Sequence, residues 1–210
     1  MNSLELEQGS EAWRLFRLGK ATGSRIADVV AKIKSGWGAS RANYAADLVI
    51  ERLTQTPIEG FKSADMIWGN TYEPEARAGY ELMYGNVTLV GFVPHPRIAM
   101  SGCSPDGLVE PRGTVQFKCP KAATHIAALR SKKIDGGYYK QVQWELACTE
   151  RDWSDFVSYH PHMPGEMRLW VKRIQRDKEL IDELEREVPI FLDEVTAAVK
   201  ELEQEYRVAA

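Results

Sequence analysis

Asp106, Gln116 and Lys118 lie in the stretch Ser104 to Pro120, SPDGLVEPRGTVQFKCP. In a strand, side chains alternate faces, so Gln116 and Lys118 point one way and Phe117 the other. Pro111, Arg112 and Gly113 supply a turn that folds Gly107 to Val109 back against Thr114 to Lys118, bringing Asp106 alongside. Glu73, in YEPEAR, closes the group from a helix. Carboxylates with a lysine suit phosphodiester hydrolysis. The acids hold one or two Mg²⁺ ions that polarise the phosphate and activate a water, and the lysine steadies that water or the developing charge. The Phe117 carbonyl is a further oxygen ligand for such an ion. By itself D-x9-[DEQ]-x-K is unspecific, because charged residues recur at such spacings on surface strands. Gln116 is an amide where this chemistry calls for an acid.

The elements that must position these residues follow from periodicity and turn residues. Ser10 opens a short apolar helix ending at Gly19, Thr22 to Ser24 offers caps for a second toward Lys34, and Ser40 caps a third to about Thr54. Lys34 to Ser40 reads as a loop, so three helices are expected before any strand. Ser63 to Tyr84 is helical in period, with a kink or fresh start near Glu73 at Pro74. Beyond Gly85 the pattern turns to short strands, Asn86 to Val93, Arg97 to Ser101, Gly107 to Val109 and Thr114 to Lys118, read as an antiparallel meander. Helices over Ala122 to Arg130 and Tyr138 to Cys148, strands over Trp153 to Tyr159 and Met167 to Val171, and two helices either side of Pro189 complete the chain. This predicts one α/β domain over residues 1–210, with a mixed central sheet flanked by helices and helices at about 174–206 packed on it.

With 210 residues and 44% hydrophobic content, the chain suffices for one core. No run approaches the ~18 apolar residues of a membrane span, and the N-terminus lacks a signal-peptide pattern, so a soluble cytoplasmic protein is expected. Cys103, Cys119 and Cys148 form no C-x-x-C pair and match no usual zinc spacing; reduced thiols are the simple reading. The net charge of -3 hides a segregation. Asp177 to Glu205 carries 11 acidic and 3 basic residues, whereas residues 1–176 are net positive. The basic part holds the motif, which permits a polyanion site without requiring one.

Separate stretches in order, EQGSEAWRLFRLGKATGS, WGNTYEPEAR, CSPDG, FKCP and YYKQVQWELACT, are far more specific than the acid and lysine spacing. Through them the chain resembles the lambda exonuclease branch of the PD-(D/E)xK nuclease superfamily, from Glu7 to about Glu194. The resemblance implies a PD-(D/E)xK core and makes Asp106 the principal metal ligand, Lys118 the catalytic lysine, and Glu73 a further acid near the metal. Gln141 matches a glutamine beside the active site. Gln116 stands where the family has its motif glutamate, with Phe117 next to it. Arg17, Ser24 and Ser104 match a 5′-phosphate pocket, and a guanidinium with two hydroxyls is a sensible phosphate shell. Trp13 is either a wedge against a terminal base or a core indole. One pocket arginine of the family is not reproduced, and Thr124 occupies its place, with Lys121 or Arg130 left to compensate.

The resemblance further implies a Mg²⁺-dependent 5′-to-3′ exonuclease on linear double-stranded DNA, with Mn²⁺ able to substitute. It favours a 5′-phosphate and leaves 3′ tails for a single-strand annealing protein in a bacterial or phage-infected cell. A homotrimeric ring around DNA is implied on the same ground. Gln116 implies a form that binds DNA ends and cuts them slowly or not at all. The alternatives are a non-catalytic DNA-end-binding recombination accessory protein, a sequence-specific endonuclease and a scaffold. His160 and His162, in a Pro-rich turn, read as loop residues rather than a metal pair.

Overall fold

A computed structural model describes residues 2–58 and 63–206. Its first half runs α1 (Glu11–Arg17), β1 (Ala21–Thr22), α2 (Ile26–Val29), β2 (Lys32–Ile33), β3 (Gly36–Trp37), α3 (Ala39–Thr54) and α4 (Ala64–Tyr84). Then come β4 (Val93–Pro94), β5 (Ser101–Cys103), β6 (Gly107–Val109), β7 (Gly113–Lys118), α5 (Ala122–Ser131) and α6 (Gly136–Thr149). The chain continues through β8 (Trp153–Tyr159), α7 (Gly165–Arg168), β9 (Leu169–Gln175) and α8 (Lys178–Tyr206).

The main sheet has the order β6-β7-β8-β9. β6 and β7 are antiparallel, joined by the Pro111 to Gly113 turn, whereas β7 and β8 are parallel. A parallel pair needs a long crossover, which α5 and α6 provide. The expected meander is therefore split. β4 and β5 leave the main sheet and join β1 in a separate sheet of order β1-β5-β4, with β1 parallel to β5. Short strands also precede α3, where only helices and a loop were expected, because Lys32–Ile33 and Gly36–Trp37 close a hairpin.

Ser10 and Ser63 cap α1 and α4 by accepting from the N–H groups of Trp13 and Met66. Neither Ser40 nor the Thr22 to Ser24 segment provides a side-chain cap; α3 starts two residues early, after Gly38. α4 runs unbroken through Pro74, its Ala76 and Tyr80 buried against Val115, Phe117 and Val157 of the sheet. α8 likewise continues through Pro189, where two helices were expected. Ile181, Leu184, Val188, Phe191, Leu192 and Val195 form one buried stripe, and its burial outweighs the ~3 kcal/mol cost of an internal proline. Several acids of α8 are used within the molecule: Glu183 pairs with Lys32, Glu185 with Arg97 and Glu194 with Arg41.

α6 is the central helix. Gln141 to Cys148 are all buried, so its polar groups must find partners inside the protein. Gln143 donates to the Gln175 carbonyl and accepts from Asp177 N–H, and the Trp144 indole donates to the Gly102 carbonyl at 3.1 Å. Among the described residues no helix is long and apolar enough to cross a membrane.

Candidate active site

The site forms at the C-terminal end of β7, between α4 and α6. Gly107 pairs with Val115, which sets Asp106, one residue before β6, opposite Gln116. Asp106 Oδ2 accepts from the Phe117 N–H at 2.7 Å and from Gln116 Nε2. From α6, Gln141 Nε2 donates to Gln116 Oε1 at 3.1 Å and to Glu145 Oε1 at 2.9 Å. The network fixes its own direction. Because Gln141 turns its nitrogen to Glu145, the Gln116 oxygen faces Gln141, which turns the Gln116 nitrogen onto Asp106. In this arrangement Gln116 gives the Asp106 carboxylate a hydrogen-bond donor, which a glutamate would not.

Lys118 is half-buried, its ammonium 5.1 Å from the centroid of the Tyr138 ring. Burial raises the Asp106 carboxyl to about 7; Lys118 opposes the rise and Glu73 adds to it. Burial likewise raises the Glu73 carboxyl, against the pull of Lys118 and, less strongly, Arg77. Glu145 is pushed up to about 8, by burial first and by Asp106 second. These are acids in want of positive charge. Their oxygens are the hard donors that Mg²⁺ selects. Among the described residues no three His, Cys, Asp or Glu side chains converge closely enough to hold an ion by themselves. The donors match a divalent cation in type and charge, and position 116 contributes an amide to them.

A second group adjoins it through Ser104 and Pro105. The Trp13 indole N–H donates to Ser104 Oγ at 3.0 Å, and the Arg17 guanidinium lies 3.9 Å from the centroid of the Trp13 ring. Ser104 Oγ thereby accepts from Trp13 and keeps its own hydrogen to donate. Arg17 Nε is buried without a partner, and burial lowers the Arg17 pKa. Thr22 pairs with Gly102, which sets the turn holding Ser24 and the segment holding Ser104 after neighbouring strands, and Ser24 is exposed. Gln8 Nε2 holds the Pro105 carbonyl at 2.8 Å, fixing the chain one residue before Asp106.

Thr124 lines a cleft of about 260 Å³ with Lys118, Lys133 and Tyr138. Neither residue expected to compensate for it lines this cleft. Lys121 lies over Trp68, and Arg130 is exposed on α5. A larger cleft, about 570 Å³, runs along β9 to the start of α8 and contains none of the candidate residues. His160 and His162 pack against Trp68. Glu145, Gln8 and Tyr138 were missed by sequence reasoning. Glu145 had a signal in its place one helical turn after Gln141, on the same face.

An acid at the entry to β6, a lysine near the end of β7 and this mixed sheet define a PD-(D/E)xK nuclease fold. Residues 12–152 match the YqaJ-like viral recombinase domain, and the chain belongs to that family. The alkaline exonuclease LHK-Exo from Laribacter hongkongensis is 44% identical, with 94% of this chain and 98% of that one covered and a TM-score of 0.88. The structure of LHK-Exo in complex with dAMP gives 0.89 over the same coverage. A phage related exonuclease from Haemophilus somnus 129PT, 18% identical, shares the fold with a TM-score of 0.70 over 87% of this chain and 96% of that one. Among curated proteins none matches this chain significantly.

Proposed function

We propose that this protein is a Mg²⁺-dependent 5′-to-3′ exonuclease on linear duplex DNA, producing 3′ tails for an annealing partner in recombination. The observation that carries it is the Asp106, Gln116 and Gln141 network, with Lys118 on the same strand, lying two residues from Ser104, whose hydroxyl the Trp13 indole holds beside the Arg17 guanidinium. The 44% identity to an alkaline exonuclease supports it. Asp106, Glu73 and the Phe117 carbonyl would hold the ion, which supplies charge neutralisation at the phosphate and an acidified water. Lys118 steadies charge on the scissile phosphate, and Gln141 keeps residue 116 in register. Arg17, Ser104 and Ser24 receive the 5′-phosphate, and Trp13 aims the Ser104 hydroxyl at it. A cytoplasmic ring of three subunits fits this work, since enclosure keeps the enzyme on its strand.

Digestion of linear 5′-phosphorylated duplex, with covalently closed circles as the control, tests the reading. Cutting of circles overturns it. The Gln116 amide favours a second reading, an end-binding protein that does not cut. Failure of a Gln116→Glu protein to digest ends that it binds would establish that one.

Arg17→Ala is expected to reduce the preference for 5′-phosphate over 5′-hydroxyl ends about tenfold, the scale of one hydrogen bond to a charged group. Initial rates on the two substrates measure this.

A pH profile follows from Asp106. It must be ionised to hold a cation, and in the metal-free protein its carboxyl is raised to about 7, so at subsaturating Mg²⁺, where proton and cation compete, cleavage is expected to climb between about pH 6 and 8. The metal-free protein is expected to show the opposite slope in stability. The folded state holds this proton more tightly than the unfolded chain, where the pKa is about 3.9. The stabilisation is complete below that value and is lost as pH rises through about 7. Urea midpoints in chelator across this range check it.

A further inference from the structure

Glu145 is an unusual residue to place in the middle of a buried helix. It is 1% exposed, and its Oε2 is buried with no hydrogen-bond partner. The neighbouring polar side chains of α6 are each tied to the backbone or to one another. An acid left half-satisfied in a core costs several kcal/mol, so packing alone does not account for it.

Its position relative to Gln116 does. Glu145 Oε1 and Gln116 Oε1 accept from the same nitrogen, Gln141 Nε2, at 2.9 and 3.1 Å. The two acceptor oxygens are thus no further apart than those two bonds laid end to end. A carboxyl group stands on one side of Gln141, and on the other stands the amide found where the chemistry calls for a carboxylate. Were both positions acidic, two like charges would share one amide beside Asp106, which is costly in a low-dielectric interior. With Gln116 neutral, Glu145 is the acid across Gln141 that lies within electrostatic reach of Asp106.

We propose that Glu145 is the displaced carboxylate of the metal site, supplying from α6 the buried negative charge that Gln116 does not supply from β7. This rests on the metal-dependent nuclease reading above. Asp106 and Lys118 both act electrostatically on the Glu145 carboxyl, so it belongs to the same charge cluster. From α6 the charge preserves ion binding better than rate, because residue 116 on β7 stands nearer Asp106 and also positions the water.

The experiment is calorimetric titration of Mn²⁺ into the full-length protein without DNA, so that ion binding is read apart from cleavage. Glu145→Gln is expected to weaken Mn²⁺ about tenfold, a common scale for losing a group that supports a metal site. Gln116→Glu combined with Glu145→Gln, which moves the charge to β7, is expected to restore parental affinity. Asp106→Asn is expected to abolish binding. Parental affinity in Glu145→Gln, with binding lost in Asp106→Asn, overturns the proposal and leaves the nuclease reading standing. Parental affinity in Asp106→Asn overturns both. If circular dichroism shows Glu145→Gln to be unfolded, Glu145→Met carries the test. It removes the charge and keeps most of the volume, and undiminished Mn²⁺ affinity in it overturns the proposal.

Discussion

Replacing Gln116 by glutamate is expected to raise the rate of digestion of linear 5′-phosphorylated duplex roughly 10²-fold, the scale on which single charge-stabilising groups act in active sites. The geometry places the expected effect on the ion and the chemical step and leaves DNA binding aside. Gln116 Oε1 already accepts from Gln141 at 3.1 Å, and a glutamate oxygen keeps that bond. The Nε2 that donates to Asp106 is replaced by a second acceptor. Without a cation two carboxylates then face each other, and the protein is destabilised. With one, the ion gains a ligand and the water gains a fixed neighbour. The same substitution should therefore lower the thermal midpoint in chelator and recover it with Mg²⁺, while affinity for DNA ends changes little. Single-turnover rates at saturating Mg²⁺ separate the chemical step from binding. Equal turnover by the two proteins would falsify the assignment of residue 116 to the reaction.

Asp155→Ala is expected to cost about 3 kcal/mol of folding stability, at the lower end for breaking a buried ion pair because Arg173 is half-exposed. Asp155 is 1% exposed on β8. It accepts from the Tyr80 hydroxyl at 2.7 Å and from two Arg173 nitrogens at 2.9 and 2.8 Å. Its removal leaves a buried phenol and a guanidinium without their acceptor. At this chain length the loss corresponds to a fall of roughly 6–12 °C in thermal midpoint. There is a consequence for the site. Tyr80 lies two turns beyond Glu73 on α4, so this bond fastens the helix carrying Glu73 to the strand beside β7. Asp155→Asn keeps one acceptor for Tyr80 and should lose less than the alanine variant. Urea melts of the two variants, run against the parent, give the measurement.

Much of this was legible in the sequence. A turn at Pro111 to Gly113 between two short apolar runs left β6 and β7 one way to pair, and that pairing sets Asp106 opposite residue 116. Alternation along β7 placed Gln116 and Lys118 on one face and buried Phe117 on the other. Ser10 announced α1, and the helical period from Ser63 announced α4. Such features are local, needing only a strand's period or a single hydrogen bond near in sequence.

What the tertiary structure alone decided concerns partners distant along the chain. Nothing near Pro189 predicts an unbroken helix; the apolar groove that receives Phe191 and Val195 is built by α2, α3 and α6. Trp13 looked equally like a wedge and a core residue until the fold set its indole against Ser104, 91 positions away in sequence. Glu145 read as one of many helix acids. Only the burial of α6 on every side leaves its carboxyl with a single partner, Gln141, and sets it beside the amide at 116. Burial and charge proximity are sums over the whole fold, and a residue's type and spacing do not contain them.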